Sequence, residues 1–428
     1  MASVAVTKRS PSLNKIAAIS GHISNLLAQH RATSSRKLGS STKLGHGSLI
    51  EVSRPPPLFI GLQGPQGIGK TTLTNALLDS LSRPQEPTID TTPALVSAKS
   101  DAASSSPSQI SLAVLSLDDF YLPHEAMTQL AFGPSTPSSS PTVSTPDGQE
   151  KTNVLLKGRG LPGTHDVPLL AQVLNALYHI NDEPASTGPA LQQDNGNHTN
   201  IPSSDPVVPR TVQIPRYDKS MHSGQGDRLP ESDTLTGPLD VVILEGWCMG
   251  FYPLSPEKLL AQWRVLFSDS EAEQHVRMEG TLQREVVTRL GLAFEDIEQV
   301  NGLLGDYVEQ VYPYFSGGFV QLAPPPSTPY SLIYQWRLEQ EHSMKAKNGG
   351  RGMTDEQVKS FIDRYIPGYI FFGHGVHHGS NSESSNEPET GLGTAVVTDR
   401  SRAPTPWCGR GLQLVLGSSR EAVDIQYF

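Results

Sequence analysis

A glycine-rich stretch between a strand pattern and a helix pattern constrains the fold of this chain more than any other feature. Residues 64–72 read Gly-Pro-Gln-Gly-Ile-Gly-Lys-Thr-Thr and match G-x-x-x-x-G-K-[ST] at every fixed position. Residues 58–62 before it form an apolar run typical of a buried parallel strand, and residues 71–82 after it carry apolar side chains at helical spacing. The pattern predicts a strand, a phosphate-binding loop and a helix, in that order.

The predicted loop has the composition that phosphate binding needs. Glycines let successive backbone N–H groups turn inward, and the helix N-terminus adds partial positive charge. We expect Lys70 to reach the β- and γ-phosphates of a nucleoside triphosphate as a catalytic residue, and the Thr71 hydroxyl to lie on Mg²⁺. The alternative is a glycine turn that binds nothing. The predicted nucleotide-binding residues are Gly64, Pro65, Gln66, Gly67, Ile68, Gly69, Lys70, Thr71 and Thr72.

The rest of the chain predicts an α/β fold interrupted by low-complexity segments. Apolar strand patterns alternate with helix patterns, which indicates a central, mostly parallel sheet with helices on both faces, the three-layer sandwich of P-loop NTPases. The 38 glycines, 35 prolines and 36% hydrophobic content of the 428 residues are typical of a chain that is irregular in part. We predict disordered inserts near residues 83–110, 133–150, 181–210 and 374–404.

The N-terminal segment, residues 1–53, is predicted to be a basic lead-in with one amphipathic helix over residues 14–31. Its first 50 residues hold seven Lys or Arg and no acid. This composition resembles a mitochondrial targeting segment, but Ile16, Ile19 and Ile23 at helical spacing also suit a helix that packs on the core. We favour the packing alternative and expect a cytoplasmic protein, with the nucleus as a further location.

Composition argues against several classes of partner. No apolar run approaches the ~20 residues that span a bilayer, so no membrane association is expected. The net charge of −10 and the lack of a basic, aromatic-rich patch argue against nucleic-acid binding. Two cysteines, Cys248 and Cys408, do not indicate a disulfide framework.

Acidic residues follow two of the predicted strands. Asp118 and Asp119 come directly after the run 112–117, and Glu245 ends the run 241–244. Because the carboxyl ends of parallel strands meet at one edge, these acids should lie beside the phosphate loop. There Asp118 could accept a proton from a substrate hydroxyl, and Glu245 could hold Mg²⁺ opposite Thr71. The alternatives are a helix-capping aspartate and a surface glutamate.

Further polar residues predict a small-molecule acceptor site. An anionic acceptor would need Arg or Lys for its charge and Asp or His for its hydroxyls, although polar loops are often without function. Arg337 could reach the triphosphate or instead form an i,i+4 pair with Glu341. The predicted substrate-binding residues are Arg159, His165, Asp166, Arg216, Tyr217, Asp218, Lys219 and Arg337.

Six of these motifs together resemble the D-glycerate 3-kinase family, including its fungal ATP-dependent members. The family is similar to uridine kinases, pantothenate kinases and phosphoribulokinases. The motifs are the loop at 64–72, Leu-Asp-Asp-Phe-Tyr at 117–121, Arg-Gly-Leu-Pro-Gly-Thr-His-Asp at 159–166, Pro-Arg-Tyr-Asp-Lys-Ser at 215–220, Ile-Leu-Glu-Gly-Trp at 243–247 and Tyr-Gln-Trp-Arg-Leu-Glu-Gln-Glu at 334–341.

The resemblance implies a P-loop kinase domain over residues 54–428 that uses ATP and Mg²⁺ to phosphorylate D-glycerate to 3-phosphoglycerate. In such kinases Asp118 takes the place of the base and Glu245 that of the metal-side acid, while the loops with Arg159 and Lys219 lie near the acceptor. The alternatives are a kinase for a nucleoside, pantothenate or a sugar phosphate, and a regulatory ATP-binding protein without acceptor chemistry. The sequence makes no prediction of the oligomeric state.

Overall fold

The computed structural model describes residues 14–40, 54–81, 109–132, 152–182, 209–267, 278–379 and 404–428. The inserts predicted near 83–110, 133–150 and 181–210 fall almost entirely outside these residues. So does the insert predicted near 374–404, from residue 380 to residue 403.

The part of the chain that the structure describes contains eight strands, which form two sheets. In chain order they are β1 (Leu58–Gln63), β2 (Leu112–Ser116), β3 (Thr211–Asp218), β4 (Asp227–Thr236), β5 (Val241–Gly246), β6 (Gly318–Ala323), β7 (Gly411–Leu416) and β8 (Ala422–Tyr427). Six of them form the central sheet in the order β2-β5-β1-β6-β7-β8, and β3 pairs with β4. All neighbours in the central sheet are parallel except β7 and β8. The predicted mostly parallel sheet is therefore confirmed.

The register of the three central strands brings their carboxyl ends to one edge. Ser116 of β2 lies opposite Glu245 of β5, and Gln63 of β1 lies opposite Gly246. The segments that follow β1, β2 and β5 therefore leave the sheet side by side. In an open parallel sheet, ligands bind at this edge.

The described residues form twelve α-helices, besides short 3₁₀ turns. They are α1 (Lys15–Ser40), α2 (Lys70–Leu81), α3 (His124–Phe132), α4 (Val167–Tyr178), α5 (Met221–Gly224), α6 (Pro256–Phe267), α7 (Met278–Leu290), α8 (Phe294–Gln310), α9 (Ser331–Lys347), α10 (Asp355–Asp363), α11 (Ile366–Phe372) and α12 (Gly375–His378). The capping box that Thr354 and Gln357 make at the start of α10 satisfies two free backbone N–H groups.

Alternate side chains of the central strands enter two separate cores. Ile60 and Ile243 pack with α1, α2 and Trp336 of α9 on one face of the sheet. Phe59 and Val242 pack with α4, α8 and α11 on the other face. This alternation follows from the two-residue period of a strand. It gives a sheet with helices on both faces, as the sequence predicted.

Helix α1 is longer than predicted and packs on the same core as the sheet. Ile19 and Ile23 are fully buried, and Leu26 and Leu27 are nearly so. Their spacing places them on one face of the helix, which explains the packing. Among the described residues, no helix has both the length and the apolar character to cross a membrane.

One local prediction differs from the structure. Residues 214–227, expected to be a loop, instead belong largely to the antiparallel pair β3 and β4, joined by α5. In β3, Val212 and Ile214 are buried whereas Thr211 and Gln213 are exposed, which is the strand alternation that the loop interpretation overlooked.

The start of the predicted insert near 374–404 is also corrected. Helix α12 occupies Gly375–His378, and Val376 within it is fully buried. Its carbonyl accepts a hydrogen bond from Trp407 Nε1 at 2.8 Å. This segment therefore belongs to the folded core, and the tryptophan that holds it follows 31 residues later in the sequence.

Candidate active site

The glycine-rich loop joins β1 to α2 at the carboxyl edge of the sheet. Gly67 and Gly69 have φ of +77° and +99°, a left-handed backbone that glycine adopts without steric cost. At Gly67 a Cβ atom would also lie 2.5 Å from the backbone carbonyl carbon of Trp336. The glycine is required here both by its conformation and by the close approach of α9.

Lys70 and Glu245 lie together beneath the loop. Lys70 Nζ donates to the Gly64 carbonyl at 2.9 Å and lies 3.9 Å from Glu245 Oε2. Glu245 is buried, and its Oε1 accepts a hydrogen bond from Ser116 Oγ at 2.7 Å. Its Oε2 is buried without a hydrogen-bond partner among the described residues. Thr71 is exposed at the start of α2.

Asp118 lies in a short 3₁₀ turn, Leu117–Phe120, that follows β2 directly. Its carboxylate accepts from the Tyr121 hydroxyl at 2.9 Å and lies 2.5 Å from Lys219 Nζ. Burial acts to raise the pKa of Asp118, but the ammonium groups of Lys219 and Lys70 outweigh it and lower the pKa to about 2. The carboxylate is therefore ionised at neutral pH.

The pKa of the adjacent residue, Asp119, is shifted in the opposite direction. Burial raises the pKa of Asp119 to about 6, with Asp118 and Glu245 adding to the effect and Lys219 opposing it. The sequence singled out Asp119 only as a neighbour of Asp118 and gave it no role. The sequence showed that Asp119 follows a strand, but it did not show the burial and the neighbouring charges that raise its pKa.

The donor set of the site fits a nucleotide triphosphate with a magnesium ion. The loop offers backbone N–H groups and Lys70, Glu245 has an unpartnered buried oxygen, and Thr71 is exposed at the start of α2. Among the described residues, no group of three or more His, Cys, Asp or Glu could hold a metal ion unaided. Mg²⁺ in phosphoryl-transfer sites needs only one or two protein ligands besides phosphate and water.

Arg159 and His165 approach the site from the segment before α4. Arg159 donates to the Gly224 and Gln225 carbonyls, each at 2.6 Å. His165 is buried, stacks on Tyr121 at 4.5 Å between ring centroids and has Nδ1 2.6 Å from the Tyr307 hydroxyl. Burial lowers its pKa to about 4, although Asp118 opposes this shift. His165 is thus a neutral, packed side chain that supports Tyr121.

Asp166 serves the fold around the site. Its Oδ1 accepts from the Leu169 N–H at 3.0 Å and caps α4, and its Oδ2 lies 2.9 Å from Arg228 on β4. The same arginine donates to the Tyr121 carbonyl at 2.8 Å. This bond pair ties the β3–β4 hairpin to the turn that carries Asp118.

Of the four residues predicted on the hairpin, Lys219 is the one with a direct contact to Asp118. Tyr217 is buried and packs against Tyr121, with ring centroids 5.3 Å apart. Asp218 folds back to accept from Ser220, and Arg216 is exposed beside Asp233 at 3.8 Å. The structure therefore brings Lys219 and Tyr217 to the site and leaves Arg216 away from it.

The structure distinguishes the two alternatives for Arg337, which were contact with the triphosphate and an i,i+4 pair with Glu341. Arg337 Nη1 lies 2.8 Å from Glu341 Oε2, so the i,i+4 pair forms, and the guanidinium lies over the Phe361 ring. The arginine that contacts the phosphate loop is Arg420, whose Nε donates to the Gly67 carbonyl at 2.7 Å. No motif in the sequence indicated Arg420, because it follows β7 in a turn 353 residues beyond Gly67.

A cavity of about 1210 Å³ lies at the opposite edge of the sheet. It is lined by the amino ends of the strands, including Leu58 and Asp240, and by residues of α1. Asp240 there is paired with Arg31 at 2.6 Å and with Arg54 at 2.8 Å. Asp240 is thus already paired with two arginines, and the phosphate loop and the predicted acids lie at the carboxyl edge instead.

Two known kinases are similar to this chain in sequence. The chain is 31% identical over 325 residues to the Saccharomyces cerevisiae protein named "Probable ATP-dependent kinase TDA10", covering 76% of this chain and 80% of that one. It is 27% identical over 351 residues to the chloroplastic D-glycerate 3-kinase of Arabidopsis thaliana, covering 82% of this chain and 54% of the plant protein. No protein-family model matches the chain.

The fold of this chain is also similar to that of a solved kinase structure. D-glycerate 3-kinase from Cryptococcus neoformans superimposes with a TM-score of 0.62 and 31% identity, covering 97% of this chain and 99% of that chain. Because the yeast relative is 31% identical over most of both chains, the protein belongs to the family of P-loop kinases that includes TDA10-like ATP-dependent kinases and D-glycerate 3-kinase.

Proposed function

We propose that this kinase transfers the γ-phosphoryl group of ATP to a hydroxyl group of D-glycerate and forms 3-phosphoglycerate. The observation that carries the proposal is the position of Asp118, an ionised carboxylate whose pKa is lowered by both Lys219 and Lys70 of the phosphate loop. The relatives named D-glycerate 3-kinase support the acceptor.

The donor side of the reaction is assigned to the phosphate loop. Backbone N–H groups of residues 64–72 and the ammonium group of Lys70 would hold the β- and γ-phosphates. In the structure Lys70 donates to the Gly64 carbonyl, so the loop itself keeps the side chain folded over it.

The transfer step is assigned to Asp118. The acceptor hydroxyl oxygen forms a bond to the γ-phosphorus as the bond from this phosphorus to the ADP oxygen breaks. Asp118 takes the hydroxyl proton, and ADP leaves with the bonding electron pair. A carboxylate with a pKa of about 2 is a weak base, but it is fully ionised at neutral pH and can orient the hydroxyl until the proton is acidic enough to transfer.

The acceptor carboxylate is assigned to the cationic groups around Asp118. Lys219 belongs to the hairpin and Arg159 to the segment before α4, and both are held by neighbours across the site. Arg364 supports this segment from behind, since it donates to the Gly158 carbonyl at 3.1 Å. An ammonium or guanidinium group is a strong partner for a carboxylate.

Glu245 and Thr71 are the residues that would hold Mg²⁺, with Asp119 close enough to act on its water ligands. The ion would neutralise charge on the phosphates during transfer. Glu245 is one of the charges that raise the pKa of Asp119, because two ionised carboxyl groups repel each other. A cation between them and the phosphates would relieve that repulsion.

The proposal is tested by measuring ADP formation with D-glycerate, L-glycerate, uridine and pantothenate side by side. We expect ADP formation that depends on D-glycerate, with 3-phosphoglycerate as the product by mass spectrometry. Activity with uridine or pantothenate but not with D-glycerate would overturn the acceptor. Tight ATP binding without turnover on any acceptor would instead favour a regulatory ATP-binding protein.

A further inference from the structure

The turn between β7 and β8 reaches the outer side of the phosphate loop through one side chain, Arg420. Its Nε donates to the Gly67 carbonyl at 2.7 Å, and one Nη donates to the Trp336 carbonyl at 3.1 Å. The other Nη lies 2.6 Å from Glu339 Oε2. A single guanidinium group thus joins the loop, helix α9 and the C-terminal hairpin.

The surroundings of Arg420 hold it in this position. Its backbone has φ of +62°, a conformation that costs energy for a residue other than glycine. Its carbonyl accepts a hydrogen bond from Lys15 of α1 at 3.0 Å. Trp336 lies beneath the guanidinium at 5.9 Å and donates to the Ser418 carbonyl at 2.8 Å. A strained residue with this many partners is fixed by the fold rather than by local preference.

The bond to Gly67 has a direct consequence for phosphate binding. In a trans peptide the carbonyl and the following N–H point in opposite directions. Holding the Gly67 carbonyl outward therefore directs the Ile68 N–H inward, where it donates to the Pro65 carbonyl at a long 3.4 Å. An N–H with so weak a bond inside a phosphate loop is available to a phosphate oxygen.

We propose that Arg420 is a positioning residue for the phosphate loop, which orients the Gly67–Ile68 peptide so that the Ile68 N–H faces the phosphates of a bound nucleotide. The backbone of Trp336 also lies close to Gly67, since a Cβ atom added at Gly67 would be 2.5 Å from the Trp336 carbonyl carbon. Arg420 does not contact the acceptor side, so its effect is on nucleotide binding. The inference rests on the nucleotide site and is independent of which acceptor is used.

The test is the binding of ADP with Mg²⁺, measured by calorimetry on the full chain. Arg420→Gln removes the guanidinium and is expected to weaken ADP binding by about tenfold, which is the loss of one charge-assisted hydrogen bond. Arg420→Lys keeps the charge but reaches one acceptor at most, so its loss should be smaller.

Arg410 supplies the matched control. It lies at the other end of β7, where its Nη1 donates to the Ser316 carbonyl at 2.6 Å. Arg410→Gln loses a similar bond at the edge away from the loop, so ADP should bind as in the wild type. In turnover assays, Arg420→Lys should raise the KM for ATP and leave the KM for the acceptor unchanged, which a general loss of structure would not do.

The proposal is overturned if Arg420→Gln and Arg420→Lys both bind ADP within about twofold of the wild type, which is less than 0.5 kcal/mol. It is also overturned if Arg410→Gln weakens binding as much as Arg420→Gln. If Arg420→Gln does not fold, Arg420→Lys decides alone. Absence of turnover on D-glycerate would contradict the proposed function without affecting these binding results.

Discussion

Lys219 Nζ lies 2.5 Å from Asp118 Oδ2, although the two residues are 101 positions apart in the sequence. The pair joins the β3–β4 hairpin to the turn after β2 and keeps Asp118 ionised in spite of its burial. It also places an ammonium group where an anionic acceptor would approach the carboxylate. The hairpin is therefore part of the candidate site.

Asp118→Asn tests the role of this carboxylate. The amide keeps the shape of the side chain but cannot accept a proton, so we expect kcat to fall by about 10²–10⁴. ADP binding should stay within about twofold of the wild type, because Asp118 lies outside the phosphate loop. Acceptor-dependent ADP formation and calorimetry give the two quantities. An equal loss of turnover and of nucleotide binding would contradict the assignment as base.

Asp119→Asn should change how stability depends on pH. The pKa of Asp119 is about 6 in the folded protein and about 3.9 in the unfolded chain. Between these values the folded state keeps a proton that the unfolded state has lost. This contribution to stability is thus complete below pH ~4 and is lost as the pH rises through ~6. The asparagine side chain does not titrate, so its contribution to stability does not change with pH.

The measurement for Asp119→Asn is the Tm of variant and wild type at several pH values from 5 to 7.5. We expect the Tm of the variant, relative to the wild type, to rise with pH over this range. A Tm difference that stays constant from pH 5 to pH 7.5 would contradict the raised pKa.

Gly67→Ala should damage both stability and nucleotide binding. The new Cβ would lie 2.5 Å from the Trp336 carbonyl carbon, at a residue with φ of +77°. Gly291→Ala is the matched control, because Gly291 has φ of +62° and nothing within 4 Å of its Cβ position. The control should lose about 1–2 kcal/mol of unfolding free energy, which is the cost of placing an alanine in the left-handed region. Urea unfolding compares the two, and equal losses would show that the approach of α9 is unimportant.

Arg337→Met should lower stability and leave nucleotide binding unchanged. Glu341 is fully buried, so loss of its arginine partner leaves an uncompensated buried charge, at a cost of about 3–5 kcal/mol. Adding Glu341→Gln removes this charge and should recover much of the loss, as a double-mutant cycle would measure. Weaker ADP binding by a folded Arg337→Met protein would favour the alternative in which Arg337 reaches the triphosphate.

Much of the candidate site was predictable because its parts are local in sequence. The phosphate loop is one continuous stretch, and Asp118 and Glu245 were found as acids at the ends of apolar runs. The parallel sheet then places them together, because the ends of β1, β2 and β5 are in register. The hairpin that carries Lys219 was missed, because the alternation of polar and apolar residues in β3 was interpreted as a polar loop.

Other features could not be predicted from residue order. His165 looked like a polar substrate ligand, but burial against Tyr121 and Tyr307 makes it a neutral support for the site. Asp118 and Asp119 are neighbours of the same type, and their pKa values shift in opposite directions because one faces Lys219 more closely. Such differences arise from distant groups brought close by folding.

The sequence by itself determined the glycine loop, the strands and helices around it and the acids at the strand ends. These depend on backbone conformation and on side-chain periodicity, which act over a few residues. The tertiary structure alone decided that Arg337 pairs with Glu341 and that Arg420 holds Gly67. Both arginines have the same chemistry and long reach, so their partners depend on which acceptors the packing of α9 and the C-terminal hairpin brings within hydrogen-bond distance.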